Sequence, residues 1–409
     1  MRLMLLLIFF VAIKASGSGT DVKFGIDNLI DTKFSLLQGK KVVLVSHAAA
    51  RSYRNKTTLE EFLIASNVHL IRLLTPEHGF YGVVVAGKHV LDDTIHGIAA
   101  KSLYGPLRRP TADLLQGADV VVVDMQDIGV RSYTYMSTMI EVMDACAEYN
   151  VPCMVLDRPN PLGGTVVEGN LLQRDVMSFI GRLPIPYVHG MTLGEIATMA
   201  NDLNWLSKTT TASGRRCSLT VVRCKRWQRS MMWEEIGRPW FPTSPNIPTV
   251  AAIRGYAITG LLGELGACSI GMGTTSPFQY LGMPDLVPDS AFIRDMQASG
   301  VAVSVCKYSP QQGKFSGEVC NGYFLQPTKN WMPYTAAMHS LWYVRKLNPT
   351  AFHDTIAGTP HGKMFIKATG LSLILAELQA YKNKTQLMEY AREGLQEFIE
   401  LRKKYLLYP

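Results

Sequence analysis

Residues 69–79 read HLIRLLTPEHG. The apolar run predicts a buried strand, and Pro76 ends it at an acid and an imidazole, Glu77 and His78. Three other stretches repeat this plan. KVVLVSH (41–47) runs into Ser46 and His47. DVVVVDMQDIG (119–129) runs into Asp124, Gln126 and Asp127. PCMVLDRPNPLGG (152–164) runs into Asp157, Arg158 and Asn160. Helical patterns lie between them: TTLEEFLIAS (57–66), PTADLLQGA (110–118) and TYMSTMIEVMDACAEYN (134–150). Continuous apolar strands alternating with helices predict an α/β fold, a Rossmann-like N-terminal domain whose parallel sheet is buried on both faces. Ligands of such sheets bind outside the carboxyl ends of the strands. One polar tip is an ordinary turn or cap; four in succession are expected to converge on a site.

The second half differs. RPWFPTSPNIPT (238–249) is too rich in proline for regular structure and reads as a connector. A Gly-rich segment, LLGELGACSIGMGTTSPF (261–278), short strand-like pieces and two closing helical stretches follow. This predicts a smaller C-terminal α+β domain, giving three parts: residues 1–17, 18–245 and 246–409. No internal repeat is present.

The first part is set apart by MRLMLLLIFFVAIKASGSG. It has Arg2, a short apolar run and then small residues, the plan of a secretory signal. A secreted or periplasmic protein, with no stable membrane insertion after cleavage, is the expectation. Without Arg2 and Lys14, 39 basic residues face 33 acidic ones, a charge of only +6. The one dense basic patch, 214–229, comes with no nucleic-acid motif and reads as a solvated strand and connector, so no nucleic-acid partner is assigned. Seven cysteines form no CxxC pair, which argues against a zinc ribbon. They read mainly as small buried residues, and no spacing assigns a disulfide. Asn55 and Asn383 each begin a glycosylation sequon, relevant only in a host that uses it.

Three chemistries compete for the strand tips. Neither GxGxxG after the first strand nor GxxxxGK[ST] occurs, so no nucleotide cofactor is assigned. His47, His78, Asp124, Asp127 and His189 could face one crevice, but without an HxH or HxxxH pair no metal is assigned. Paired carboxylates remain. Glu77, Asp124, Asp127, Asp157 and Glu168 lie at or after strand tips, and glycoside hydrolysis needs an acid for the leaving oxygen and a second group for the other face of the sugar. Glu77, beside Phe80 and Tyr81, reads equally well as a desolvated general acid and as a cap of the following turn. Tyr133, Tyr135 and their neighbours offer the flat faces and hydroxyls that suit sugars.

In order, LLTPEHGFYG, SLYG, DMQDIGVRSYTYMSTM, VLDRPNPLGGTVVEGNLL, SFIGRLPIPYVHGMTLGE, FPTSPNIPT and GMGTTSPFQYLGMP resemble the exo-β-N-acetylmuramidase (NamZ-like) family of peptidoglycan hexosaminidases, over about residues 25–365. The resemblance implies a cleft between a Rossmann-like and a smaller domain, and release of N-acetylmuramic acid from the non-reducing end of peptidoglycan-derived glycan. It implies Glu77 as the catalytic acid; His78 would then orient it or bind a sugar hydroxyl, and Asp124 or Asp127 is the candidate second carboxylate. Arg131, Tyr133, Tyr135, Asp157, Arg158, Asn160, Glu168 and His189 match the family's cleft and would bind substrate, Arg131 or Arg158 pairing with the lactyl carboxylate, although Arg158 reads equally well as an internal salt bridge to a strand-tip Asp. Whether the substrate's own N-acetyl group attacks the anomeric carbon stays open. The chain departs from the family where His47 stands in place of an Asn-containing loop, where Glu264 leads into Leu265-Gly266-Ala267, and where Met272 replaces an arginine. An altered or inactive glycan-binding protein is therefore the alternative, and a metal-dependent hydrolase a third reading.

Overall fold

The protein is described by a computed structural model over residues 22–207 and 216–409; the expected signal segment lies outside them. Seven strands form the first sheet: β1 Lys41–Ser46, β2 His69–Thr75, β3 Asp93–Ile95, β4 Ile98–Ser102, β5 Val120–Asp124, β6 Cys153–Leu156 and β7 Leu219–Val222. Their order is β3-β4-β2-β1-β5-β6-β7. All neighbours are parallel except β3 and β4. The chain moves outward from β1 through β2 to β4, then returns to place β5 beside β1. That reversal is the topological switch point of a doubly wound sheet.

The hydrophobic runs explain the layering. Side chains alternate across a strand. Val43, Val45, Val121 and Val123 enter one apolar cluster, with Met139 and Met143 of the helix Thr134–Glu148. Val42, Leu44, Val120 and Val122 enter another, with Leu59 and Phe62 of the helix Thr58–Ile64. Both faces are covered, so the strands need apolar residues at every position. The β3–β4 hairpin escapes the sequence pattern because its strands are short and part polar. Its two-residue turn, His96-Gly97, has φ of 49° and 81°, as a primed hairpin turn requires.

The C-terminal α+β domain carries an antiparallel sheet of β8 Tyr280–Met283, β9 Val301–Tyr308 and β10 Cys320–Pro327, in the order β8-β10-β9. The helix Val250–Leu265 enters it from the proline-rich connector, with Thr249 Oγ1 accepting from Ala252 N–H (3.1 Å) as its cap. Ile253, Ala257 and Leu261 of this helix join the same apolar cluster as β1 and β5. The two domains therefore share a core. The last residues return to the first domain: Leu407 N–H donates to Glu195 (2.7 Å) and Arg229 N–H to the Pro409 carbonyl (2.9 Å). All seven cysteines are free thiols, six of them buried. Among the described residues no helix is long and apolar enough to cross a membrane.

Candidate active site

A cleft of about 400 Å³ runs between the domains. One wall holds Glu77, His78, Tyr133 and Thr134; the other holds Tyr256, Glu264, Met272 and Lys314. Its size lies within the ~300–1,000 Å³ of ordinary ligand sites.

Glu77 follows β2 and is nearly buried. Thr134 O–H donates to one carboxylate oxygen (2.6 Å) and Gly87 N–H to the other (2.8 Å). Tyr104 reaches the same group, and its phenol is pushed up by burial and then by the Glu77 charge. His78 sits in the left-handed region at φ 70°, where Nδ1–H donates to the Val84 carbonyl (2.7 Å). In a neutral ring this leaves Nε2 as an acceptor. Its ring stacks on Tyr133 at 6.3 Å. The Tyr133 and Tyr135 hydroxyls donate to Thr243, to its Oγ1 (2.8 Å) and its carbonyl (2.7 Å). Two tyrosines thus pin the connector to the cleft wall. Of the two aromatics beside Glu77, Phe80 is buried, whereas Tyr81 is exposed.

Opposite lies Glu264, a carboxylic acid that the sequence reading left without a role. Burial, with the Glu77 charge as second cause, raises it to about 7. It is the only acid of the helix Val250–Leu265 and lies in its last turn, just before Gly266, whose φ of 61° closes the C-terminus. A helix C-terminus disfavours negative charge. A lone acid in the last turn of AAIRGYAITGLLGEL was therefore the signal available in the sequence.

The other strand tips do not join this cleft. Arg158 makes a forked ion pair with fully buried Asp124 (2.5 and 2.9 Å), and Thr58 O–H also donates to Asp124. Arg131 is fully buried, and its guanidinium donates to four carbonyls: Asn170 (2.8 Å), Ile185 (2.6 Å), Ala368 (3.1 Å) and Thr369 (2.5 Å). It ties the helix Pro360–Thr369 to the first domain instead of facing a substrate. Glu168 does similar work, accepting from Tyr334 N–H (2.8 Å) and Thr335 O–H (2.8 Å) at the start of the helix Pro333–Leu347. Asp157 accepts from Thr192 O–H (2.7 Å), Gly194 N–H (2.8 Å) and Tyr408 O–H (2.5 Å). Asn160 braces its own loop through Met191 O and Leu162 N–H. His47 and His189 are buried, and that burial lowers each to about 3, so both are neutral rings. Among the described residues no group of three or more His, Cys, Asp or Glu side chains is placed to hold a metal.

Asp127 is buried away from the cleft. Gly129 N–H donates to one oxygen (2.8 Å) and the other has no partner. Burial raises it to about 7. Between the ordinary carboxylate range and about 7, the unfolded chain has released a proton that the folded chain keeps. Stability therefore falls as pH rises through that window. Asp127→Asn removes the titration. It should stabilise the protein at pH 8 by on the order of 2–4 kcal/mol and flatten the dependence of the melting midpoint between pH 5 and 8. Activity should stay within severalfold; a hundredfold loss in the folded variant would bring Asp127 back into the reaction.

Comparison with known proteins adds to this geometry. Residues 42–251 match the family model described as exo-beta-N-acetylmuramidase NamZ, N-terminal, and residues 254–408 match its C-terminal counterpart. The chain is 32% identical over 393 residues to the peptidoglycan beta-N-acetylmuramidase NamZ of Bacillus subtilis, covering 95% of this chain and 91% of that one. Two crystal structures of DUF1343 family proteins from Bacteroides fragilis are similar. One is 32% identical with a TM-score of 0.85, covering 95% of this chain and 100% of the other. The second is 29% identical with a TM-score of 0.72, covering 95% and 99%.

Proposed function

We propose, on the premise that the chain belongs to the exo-beta-N-acetylmuramidase NamZ family, that this glycoside hydrolase removes terminal N-acetylmuramic acid from the non-reducing end of peptidoglycan fragments. We infer a secreted or periplasmic site of action from the signal-like segment at the N-terminus. The observation that carries the reading is the pair of carboxyl groups, Glu77 and Glu264, which line one sugar-sized cleft near enough for the Glu77 charge to act on Glu264. Their environments differ: Glu77 accepts hydrogen bonds from Thr134 and Gly87, whereas burial raises Glu264 to about 7. Glu264 holds its proton near neutral pH and gives it to the leaving glycosidic oxygen as the C1–O bond breaks. Glu77, held by Thr134, Gly87 and Tyr104, supplies the carboxylate. It either activates the water that adds to C1 or steers the substrate's acetamido group onto C1 before water replaces it. Both routes need its charge. The acid role thus moves from Glu77, where the family motif alone puts it, to Glu264.

N-acetylmuramic acid differs from N-acetylglucosamine by a lactyl ether ending in a carboxylate. Arg131 and Arg158 are spent on internal partners. Among the described residues lining the cleft, Lys314 is the sole lysine or arginine. Its loop folds onto Met272, whose carbonyl accepts from Gln311 and Gln312 N–H (3.1 Å each). Gly313 lies against the Met272 side chain, 3.5 Å from where its own Cβ would be. Lys314 therefore brings a cation to the loop where the family's arginine is missing. Lys314→Gln should narrow the preference for muramic acid over glucosamine glycosides about five- to tenfold, the modest figure reflecting an exposed charge. The same chromogenic glycosides test the reading itself: wild type should turn over the muramic acid compound. Tight binding without turnover would leave a glycan-binding protein, and unchanged selectivity in Lys314→Gln would assign the lactyl group to other contacts.

A further inference from the structure

Two adjacent arginines follow β4, and the fold treats them differently. Arg109 is compensated by Asp144 (2.8 Å) and by Glu148. Arg108 is exposed, and among the described residues its guanidinium meets no carboxylate. It lies over two rings instead, 4.7 Å from the centroid of Phe179 and 5.3 Å from that of Tyr104. The two rings pack against each other at 5.9 Å, in a small apolar cluster with Val90. Both are nearly buried, so the floor under the guanidinium is fixed. A guanidinium stacked on aromatic faces keeps its N–H edge for a partner in its own plane. Holding a long side chain in place beforehand also lowers the entropy lost when it is used.

That floor belongs to the cleft. Tyr104 lines it, and the Tyr104 hydroxyl bonds the Glu77 carboxylate. Ile180, next to Phe179, lines it too. Arg108 stands beyond the Tyr104 ring, outside the lining itself. The ring and the stack keep it within about a disaccharide's length of the Glu77 carboxylate. Lys314 is on the wall of the second domain, whereas Arg108 is a cation on the rim of the first.

The substrate class offers a matching anion. Its glycan alternates muramic acid with glucosamine, and only muramic acid carries a lactyl carboxylate. With muramic acid at the end that is cut, the next carboxylate lies across one uncharged glucosamine. We propose that Arg108 is a specificity-determining contact for the leaving part of the glycan: its guanidinium pairs, in its own plane, with the lactyl carboxylate of the second muramic acid. This rests on the muramidase reading of the cleft. The site then reads acidic sugars on both sides of the glucosamine, the terminal one through Lys314 and the inner one through Arg108.

Calorimetric titration of the Glu77→Gln protein, which leaves glycans uncut, tests this with three probes. They are the muramic acid–glucosamine disaccharide, the trisaccharide that adds a second muramic acid, and that trisaccharide methyl-esterified at its reducing-end lactyl group. The free-acid trisaccharide should bind about three- to tenfold tighter than either of the others, as expected of an exposed charge-assisted pair. The advantage should shrink at high salt. Arg108→Gln in the same protein should remove most of it. Arg108→Lys should keep only part, because lysine retains the charge and loses the fork and the stack. Arg108 is exposed, so both variants should fold. Equal binding of the free acid and its ester would overturn the proposal, as would no saturable binding of the trisaccharide. So would an advantage that survives Arg108→Gln, or an equal weakening of disaccharide and trisaccharide in that variant. The catalytic reading is judged separately, by turnover of muramic acid glycosides in the wild type.

Discussion

Glu264→Gln should lower kcat/KM on natural glycan by about two to four orders of magnitude, the usual contribution of a positioned general acid. The loss should depend on the leaving group. A nitrophenolate leaves without a proton, so the variant should recover most of its rate on a nitrophenyl glycoside. The wild-type profile on glycan should fall as pH rises past about 7, where Glu264 loses its proton, and the variant should lack that limb. Glu77→Gln should fail on both substrates by a similar factor, because its charge is needed whatever leaves. The converse pattern, with Glu77→Gln rescued by nitrophenolate and Glu264→Gln not, would return the acid role to Glu77.

Arg158→Leu should cost about 3–5 kcal/mol, because it leaves Asp124 charged and fully buried without its partner. Thr58 O–H, the remaining donor, cannot replace a forked guanidinium. The melting midpoint should drop by several degrees. The pair has a signature that a substrate-binding arginine lacks: adding Asp124→Asn to Arg158→Leu should recover part of the lost stability, since it removes the stranded charge. An unchanged midpoint with a raised KM would place Arg158 on the substrate instead.

The sheet was legible because strands buried on both faces must be apolar at every position, and VVVV at 120–123 permits little else. The expected meeting of all four polar tips was not borne out. A carboxylate, an amide and a guanidinium at strand ends satisfy each other as readily as they bind ligands, and sequence does not distinguish the two. Asp124 with Arg158 shows this, as does Asp157 with Tyr408, a partner 251 residues away. Arg131 and Glu168 looked like cleft residues because they are polar and lie in dense motifs. They fix the second domain to the first, a task visible only once both domains are placed. Glu264 and Lys314 lie in the second half, where the cleft's far wall is built from a helix end and a loop with no periodic pattern to mark them.

The most direct measurement is the identity of the first product released from a defined glycan chain. Two short peptidoglycan oligosaccharides are needed, one ending in N-acetylmuramic acid and one in N-acetylglucosamine at the non-reducing end, followed by mass spectrometry over time. The account predicts free N-acetylmuramic acid as the sole early product from the first, and little or no reaction with the second until another enzyme removes its terminal glucosamine. Internal fragments from either chain, or free N-acetylglucosamine from the second, would contradict it.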